Sequence, residues 1–563
     1  SQEIANVERI EVIKGPSSVL FGQNDPGGLI NLVTERPLPF PRYDVEFQTG
    51  SFGLVRPTLD LTGPLTVVGR LAYRLNLAYR HEDSFRSFET DTSRLFFAPV
   101  ISWDISDRSN LTLVMEYLDE EIPFDAGLPV IGTSVVDVPR DRVQGELDDL
   151  IRSESLTLGY DFTHAFSENW TLNHGFRYVT QNYSTLVALP LGFDEATGNV
   201  TRFFADRQYY ANDYIIQTNV VGNFNTGSIQ HTLLAGVDIN INRFDEEFTR
   251  VDFLNPSILN IFNPVYGDPR PDLSNFPSAF AAADTESEQY GVFIQDQITL
   301  SEQFILVGSL RYDSISRRAI NSRTNTAWSP RIGFIYQPTE AIALYGNYSR
   351  SFSPNNGRSS AGEIFEPERG EGFEVGVKAE LLGGNLLATL TYFDITKQNV
   401  LTADPNNLLF SIATGAQRSQ GVEFDIVGEI LPGWNIIANY AYIDARITED
   451  NTTPVGNRLP NAPYHSAGLW TTFQIQQGNL EGSGFGLGFN YVGSREGDLA
   501  NTFEVGDYWL ANAALFYERD DWRLGLNFNN IFNVDYFRVT DNRSFGNIPG
   551  APFSVVGSIS VQF

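Results

Sequence analysis

Three charged side chains in this sequence could form an ionic contact that opens and closes. Glu374 and Glu423 each lie between two apolar residues. Because successive side chains of an extended strand point to opposite faces, both carboxylates lie on the face opposite their apolar neighbours. A carboxylate that is removed from water needs a cationic partner. Arg9, near the start of the chain, is the partner that we expect.

The histidines and the acidic clusters give weaker signals. His164 and His174 flank a short turn at residues 167–169 and could approach each other across one hairpin. Two such ligands without a third do not make a zinc site. The run Asp119-Glu120-Glu121 could suggest glycoside hydrolysis, but beside a strand end it indicates a solvated face or a divalent-ion contact with lipopolysaccharide. The glycine pairs show no phosphate-loop pattern. We therefore expect no enzyme and no protein-bound metal.

Composition narrows the class of protein. The 563 residues include 42 Phe, 24 Tyr and 48 Gly but no Cys, and the net charge is -31. Without Cys there are no disulfides and no thiolate sites. The negative charge argues against a nucleic-acid partner. No apolar run approaches the roughly 20 residues that a transmembrane helix requires.

Strict alternation of apolar and polar residues dominates the chain and indicates strands. An early example has its apolar row at Leu71, Tyr73, Leu75, Leu77 and Tyr79. The last segment has its row at Phe553, Val555, Gly557, Ile559, Val561 and Phe563. Aromatic residues lie at or near both ends of such rows, as they do in the outward rows of outer-membrane barrels at the two membrane interfaces.

The rhythm of turns gives the number of strands. Ten short turns alternate with eleven longer connections, which include residues 120–152, 186–207 and 249–285. This pattern predicts an all-β membrane protein, a 22-stranded antiparallel transmembrane β-barrel. Short turns on one side, long loops on the other and an even strand number are the outer-membrane pattern. Barrels of this size have a plugged lumen.

The first 41 residues do not follow the barrel rhythm. Residues 7–14 read as a strand, Gly15-Pro16 breaks it, and a second strand follows the turn at residues 26–28. We assign residues 1–41 to the C-terminal half of an α+β plug domain in the lumen and residues 42–563 to the barrel. We also expect that the chain is N-terminally truncated, because no signal peptide precedes Ser1.

Several motifs resemble those of TonB-dependent siderophore receptors, in the order of that family. Residues 7–22 read VERIEVIKGPSSVLFG, residues 26–31 read PGGLIN, and residues 33–37 read VTERP. The barrel continues the match with YGVFIQDQI at 290–298, FEVGVK at 373–378, QRSQGVEF at 417–424 and NNIFNVDY at 529–536. HTLLAGVD at 231–238 and LNIFNPV at 259–265 resemble the ferrichrome-type, or hydroxamate, branch.

The resemblance implies a receptor in the outer membrane of a Gram-negative bacterium, with a ferric siderophore as its ligand. Import through the barrel would be energised by the TonB-ExbB-ExbD complex, and the iron would arrive already chelated, so no cofactor is expected. In the family a plug arginine and barrel glutamates act as a lock, a role that we transfer to Arg9, Glu374 and Glu423. Phe563 resembles the signal that the barrel-assembly machinery reads. The other expectations are contact with lipopolysaccharide and a monomeric state.

The sequence also departs from the family. The TonB box and the plug loops that touch the siderophore would precede Ser1. By alignment, residues 124–127 and 186–188 correspond to ligand-contacting aromatic stretches and keep only Phe124, which argues against ferrichrome itself. Aromatic walls suit bulky neutral chelates, so we take Phe124, Tyr266 and Phe545, all on long loops, as candidate ligand contacts.

Two alternatives remain open at this point. The cargo could be cobalamin, haem or an oligosaccharide, carried by the same kind of receptor. The barrel could also be a passive porin or an adhesin, although the plug motif argues against this.

Overall fold

The segment that the sequence assigns to a plug forms a small two-stranded sheet with one turn of helix. The computed structural model describes residues 3–67, 69–276, 285–318, 322–355, 359, 365–404 and 407–563. In this structure the strands β1 (Val7–Lys14) and β2 (Gly28–Thr34) pair antiparallel. The helix α1 (Ser18–Phe21) lies between them in the chain. Gly15 ends β1 with φ +76°, a backbone conformation that favours glycine. The two strands expected from the sequence are therefore present.

The rest of the chain closes into one antiparallel barrel of 22 strands. Its first half consists of β3 (Arg42–Gly50), β4 (Val55–Pro64), β5 (Leu71–Glu82), β6 (Thr92–Ser106), β7 (Ser109–Pro123), β10 (Leu150–Ala165), β11 (Trp170–Asp194), β12 (Asn199–Thr226), β13 (Ile229–Val251), β15 (Thr285–Ser301) and β16 (Phe304–Arg318). Its second half consists of β17 (Ser322–Thr339), β18 (Ile342–Ser353), β19 (Glu368–Leu381), β20 (Leu386–Asp404), β21 (Asn407–Leu431), β22 (Trp434–Glu449), β23 (His465–Gln474), β24 (Ser483–Val492), β27 (Tyr508–Arg519), β28 (Trp522–Asn529) and β31 (Ser554–Gln562).

The remaining elements are short and lie in the connections. They are β8 (Val130–Ile131), β9 (Ser134–Val135), β14 (Ser257–Asn260), β25 (Arg495–Glu496), β26 (Glu504–Val505), β29 (Phe537–Val539), β30 (Ile548–Pro549) and the 3₁₀ turns Leu273–Asn275 and Leu382–Gly384. None of the described helices is long and apolar enough to cross a membrane.

Closure of the barrel joins its first strand to its last. β3 pairs with β31 in antiparallel register from Asp44↔Gln562 to Gly50↔Val556. Phe563 continues this pairing, since its N–H donates to the Tyr43 carbonyl at 2.8 Å and its carbonyl accepts from the Tyr43 N–H at 3.1 Å. Closure pairs the two edge strands of the sheet with each other, as a barrel in lipid requires.

The barrel wall is two-faced, as the alternation predicts. On β5 the row from Leu71 to Tyr79 faces lipid, whereas Arg74 and Asn76 on the other face donate hydrogen bonds to the plug carbonyls of Arg36 and Ala5. Apolar packing away from lipid occurs mainly among the long loops, where Leu128, Val136, Val200 and Ile261 form one buried cluster.

One predicted connection is a strand pair in the structure. Residues 186–207 were expected to form a long loop, but β11 runs to Asp194 and β12 begins at Asn199. β11, β12 and β13 contain 25, 28 and 23 residues, against about 10 that suffice to cross a bilayer. These strands therefore continue well beyond the membrane. The expected loop 249–285 includes residues 277–284, which lie outside the described residues.

Candidate functional site

The end of the first plug strand contacts the barrel wall through one lysine. Lys14 Nζ lies 2.7 Å from Glu423 Oε2 and 3.0 Å from Asp425 Oδ2. Glu374 lies beside this contact, because a Cβ added to Gly15 would be 2.6 Å from its Oε1. The two barrel glutamates that the sequence singled out are thus brought to the same place on the plug.

Arg9 is not the cation that meets these glutamates in the structure. Its Nε lies 2.7 Å from Glu11 Oε1 and its Nη1 lies 3.5 Å from Glu8 Oε1, with the side chain half exposed. Arg9 and Lys14 are five residues apart on an extended strand, which is about 16 Å, so they cannot share one partner on the wall. Lys14, which the sequence interpretation passed over, occupies the position expected for Arg9.

A second lysine holds the other plug turn against the same wall. Lys397 Nζ lies 2.6 Å from Glu368 Oε2 of the barrel and 3.1 Å from Asp25 Oδ1 of the plug. Two glycines of β19 leave room for the turns, since an added Cβ would collide with Pro26 at Gly370 and with Pro16 at Gly372. A cavity of about 710 Å³ adjoins this contact and is lined by Lys14, Glu374 and Lys397 among others.

The opposite wall holds the plug through contacts that are more deeply buried. Glu3 Oε1 accepts a hydrogen bond from Arg56 at 2.7 Å, and its other oxygen lies 3.5 Å from Arg94. Glu35 lies 2.8 Å from Arg74. The side chains of Glu3, Arg94 and Arg74 are each 6% exposed or less. The plug is thus anchored between two walls of different character.

A buried arginine supports the plug helix. Both Arg311 terminal nitrogens donate to Asp238, at 2.6 and 2.7 Å, and Arg311 also binds Asp313. A Cβ added to Gly22, which follows α1, would lie 3.1 Å from Arg311 Nη2. The backbone N–H of Phe352 donates to the Ser18 hydroxyl at 3.2 Å. These contacts fix α1 against β16 and β18.

The three loop aromatics predicted to contact ligand all lie in or against the loop of residues 124–149. The Phe124 N–H donates to the Asp149 carbonyl at 3.0 Å. The Tyr266 hydroxyl donates to the Val143 carbonyl at 2.9 Å, and burial raises the pKa of Tyr266. The residue after Phe545 donates its N–H to the Ala126 carbonyl at 2.8 Å. The structure therefore brings the three loops together, and the ligand role of the aromatics stays a prediction.

Ion pairs between the outer loops hold these loops together. Arg202, which is fully buried, lies 2.7 Å from Glu146 Oε1. Arg270 lies 2.6 Å from both Asp148 and Asp149. Burial raises the pKa of the Asp149 carboxyl to about 6, against the opposing effect of Arg270 and two backbone N–H donors. By contrast, Arg270 holds the pKa of the exposed Asp148 below its usual range.

An aromatic cluster on the extended strands faces the mouth of the barrel. Tyr183 stacks on Tyr209 with ring centroids 4.7 Å apart, and Phe244 lies 5.0 Å from Tyr209. The Arg207 guanidinium lies 5.2 Å from the centre of the Tyr209 ring. Strand alternation and register place these four side chains on the face that Asp238 shares, so they form one wall above the plug. The sequence interpretation did not single out this cluster, and the loop that it assigned to residues 186–207 includes only Arg207 of the four.

The two histidines of the hairpin have ordinary polar partners. His164 Nδ1 lies 2.9 Å from the Ser109 hydroxyl. His174 lies 3.0 Å from the Tyr160 hydroxyl and 2.8 Å from Thr218. The partners of both histidines are hydroxyl groups, and neither set of partners is the ligand set of a zinc site.

Two family models match the chain. The model described as "TonB dependent receptor-like, beta-barrel" matches residues 102–531, and the model described as "TonB-dependent Receptor Plug Domain" matches residues 1–29.

Curated relatives match along nearly the whole chain. A metal-pseudopaline receptor of Pseudomonas aeruginosa is 34% identical over 99% of this chain and 80% of its own length. The ferrichrome outer membrane transporter/phage receptor of Escherichia coli K12 is 30% identical over 99% of this chain and 79% of its own length. A ferrioxamine B receptor of Salmonella typhimurium is 29% identical over 99% of this chain and 80% of its own length. All three are named for transport or reception.

Solved structures share the fold. The closed form of the ferric-catecholate import receptor of E. coli K12 gives a TM-score of 0.88 at 23% identity, over 100% of this chain and 87% of that one. The ferripyoverdine receptor of the outer membrane of Pseudomonas aeruginosa, solved with ferripyoverdine bound, gives a TM-score of 0.89 at 22% identity, over 100% of this chain and 77% of that one. At these identities the structures establish the architecture alone.

Proposed function

This chain belongs to the TonB-dependent receptor family of the Gram-negative outer membrane, and we propose that it binds a ferric siderophore at its outer mouth and imports it past the plug. The observation that carries this proposal is the closed barrel whose lumen holds the plug segment between two walls. Polar contacts between the wall and the plug can be broken and formed again, which suits a gated path. A passive pore needs no such contacts.

The mouth suits a bulky chelate with aromatic and polar surfaces. The wall formed by Tyr183, Tyr209, Phe244 and Arg207 offers ring faces and one cation. Binding sites for such ligands combine aromatic walls with a few polar groups. The similarity to ferrichrome and ferrioxamine B receptors supports a hydroxamate siderophore as the ligand.

The lock that we propose consists of Lys14, Glu423 and Asp425, with Glu374 beside it. Release of these contacts by force from a TonB complex would free the turn at Gly15 and enlarge the cavity next to it. The metal would enter within its chelate, so the barrel needs no resident cofactor. We also propose that Phe563 serves as the assembly signal, that lipopolysaccharide surrounds the outer face, and that the receptor is a monomer.

Uptake assays test the proposal directly. The complete gene is expressed in an E. coli strain that lacks its own siderophore receptors, and growth under iron limitation is scored with ferrichrome, ferrioxamine B, a ferric catecholate and haem. Rescue by a hydroxamate, dependent on tonB, is expected. Rescue by haem alone, or growth that does not require tonB, would overturn the proposal.

One comparison favours a second candidate ligand. The 34% identical relative is a metal-pseudopaline receptor, and a metal complex of that kind is the second candidate, beside a ferric hydroxamate. Uptake of a radioactive divalent metal with pseudopaline, measured beside uptake of radioactive iron with ferrioxamine B, separates the two candidates.

A further inference from the structure

A group of potential metal ligands lies on the lipid-facing side of the barrel, away from the plug and the mouth. The row of β5 that faces lipid ends with Tyr79, and His81 is the next residue of that row. Aromatic residues at the end of an outward row mark the membrane interface. His81 therefore lies just outside the apolar layer, at the level of the lipid headgroups.

Three side chains converge at this position. His81 Nε2 lies 3.8 Å from Asp83 Oδ1 and 4.0 Å from Asp91 Oδ2. One ligand atom from each of the three residues lies within 4.8 Å of the others. Asp83 follows the end of β5 and Asp91 precedes the start of β6, so the group joins the two ends of one outer loop.

The types of ligand indicate which cation would bind. One imidazole nitrogen and two carboxylate oxygens suit divalent transition metals such as Zn²⁺, Ni²⁺ and Co²⁺. Ligands bound at about 2.1 Å are separated by about 3.0–3.4 Å in octahedral or tetrahedral geometry. The two distances from His81 therefore need to close by about 1 Å or less, and the distance between the two carboxylates by less than about 2 Å. A divalent cation would also neutralise the two neighbouring carboxylates.

We propose that His81, Asp83 and Asp91 bind a divalent transition-metal ion that ties together the two ends of the outer loop of residues 83–91. The loop also reaches the mouth, because Arg86 is buried and its Nη1 lies 3.0 Å from Asp125 Oδ2. Metal occupancy would therefore order a loop that packs against residues 124–149. This role is separate from transport, and it does not depend on which chelate the receptor imports.

The backbone at Asp83 is held in place by the neighbouring hairpin, which favours metal binding at this site. The Asp83 N–H donates to the Phe52 carbonyl at 2.8 Å, which holds the start of the loop against the neighbouring hairpin. A Cβ added to Gly53 would lie 2.8 Å from Asp83 Oδ2, so the carboxylate is confined between that hairpin and His81. Less freedom has to be lost when the ion binds, because one ligand is already held in place.

Cobalt binding to the purified full-length receptor tests the site. After treatment with a chelator, the protein in detergent is titrated with Co²⁺, and the visible absorption of the bound ion reports nitrogen and oxygen ligands. One ion per chain is expected. Losing even an outer partner of a metal ligand costs 10–100-fold in affinity, so His81→Gln and Asp91→Asn should each weaken binding by at least about tenfold.

His231→Gln is the matched control. His231 Nδ1 also lies close to a carboxylate, 2.8 Å from Asp296 Oδ2, but that pair is not part of a three-ligand group among the described residues. Binding should survive His231→Gln, and Co²⁺ should slow amide hydrogen exchange at residues 84–90 in the parent but not in His81→Gln. Binding that survives His81→Gln, or no binding at all, would overturn the proposal. The retained heat-modifiable migration of the barrel confirms that each variant has folded.

Discussion

At the scale of single residues, the choice between Arg9 and Lys14 shows where the sequence argument ends. Alternation places Glu374 and Glu423 on the inner face of the wall, and the structure brings both to the plug. Which plug cation meets them depends on how β1 is inserted along the barrel axis. That insertion depth is a tertiary property, and neither strand pattern nor charge encodes it locally.

The lysine contact predicts a specific loosening of the plug. Because the chain contains no Cys, Val19→Cys places a single thiol at a site that is 1% exposed. Lys14→Gln should speed thiol labelling by about fivefold, since a half-exposed ion pair contributes only about 1 kcal/mol after solvent screening. Arg9→Gln is the control and should leave the rate unchanged. Equal acceleration in both variants would contradict the assignment.

The buried carboxyl of Asp149 predicts a pH effect on the outer loops. Its pKa is about 6 in the packed loop, above the usual 3.8, so the packed loop holds a proton more tightly than the opened loop does. The packed state should therefore gain stability as the pH falls from 7 to 4, by at most about 3 kcal/mol. Hydrogen exchange at residues 144–149, corrected for the intrinsic rate, measures this gain.

Two variants check the source of the pH effect. Asp149→Asn should abolish the gain. Asp148→Asn, which changes the exposed neighbour on the same Arg270, should keep it, because the pKa of Asp148 is lowered and that carboxyl stays ionised until lower pH. A gain that persists in Asp149→Asn would show that another group titrates.

At the scale of elements, the strands were predictable wherever one face meets lipid. The strand count and the plug strands follow from alternation and turn spacing, and the structure has both. The hairpin of β11 and β12 was only partly recognised, because beyond the membrane both of its faces meet water or other loops. Nothing there requires an apolar row, so the period-2 signal fades although the hydrogen-bonded ladder continues to Asp194.

That extended hairpin predicts the effect of removing one ring from the mouth. Tyr209→Ala should weaken the binding of ferrichrome or ferrioxamine B by about 3–10-fold, since aromatic contacts contribute about 0.5–1.5 kcal/mol each. Tyr210→Ala is the matched control, because Tyr210 is the next residue of the same strand and points to the other face. Quenching of intrinsic fluorescence measures the affinity of both variants. An equal loss of affinity in the two variants would contradict the assignment of the ligand site to this aromatic wall.

At the scale of the whole molecule, the plug is held by two walls that differ in exposure. The contact of Glu3 with Arg56 is buried and the Arg74 that binds Glu35 is only 6% exposed, whereas Lys14 in its contact with β21 is 47% exposed. A buried pair is screened little by salt, while an exposed pair is screened strongly. The wall of β19–β21 is therefore the side on which we expect the plug to release first.

Salt should separate the two walls in one experiment. Raising NaCl from 0.05 to 1 M shortens the screening length to about 3 Å, so hydrogen exchange of the Gly15 amide, which donates to Gly27, should accelerate several-fold. The Glu35 amide, which donates to Asn6 near the buried wall, should respond little. In the double variant Lys14→Gln with Lys397→Gln, the Gly15 amide should exchange fast at both salt concentrations. An equal salt response at both amides in the parent would mean that the plug loosens as one body, and release could not then begin at β19–β21.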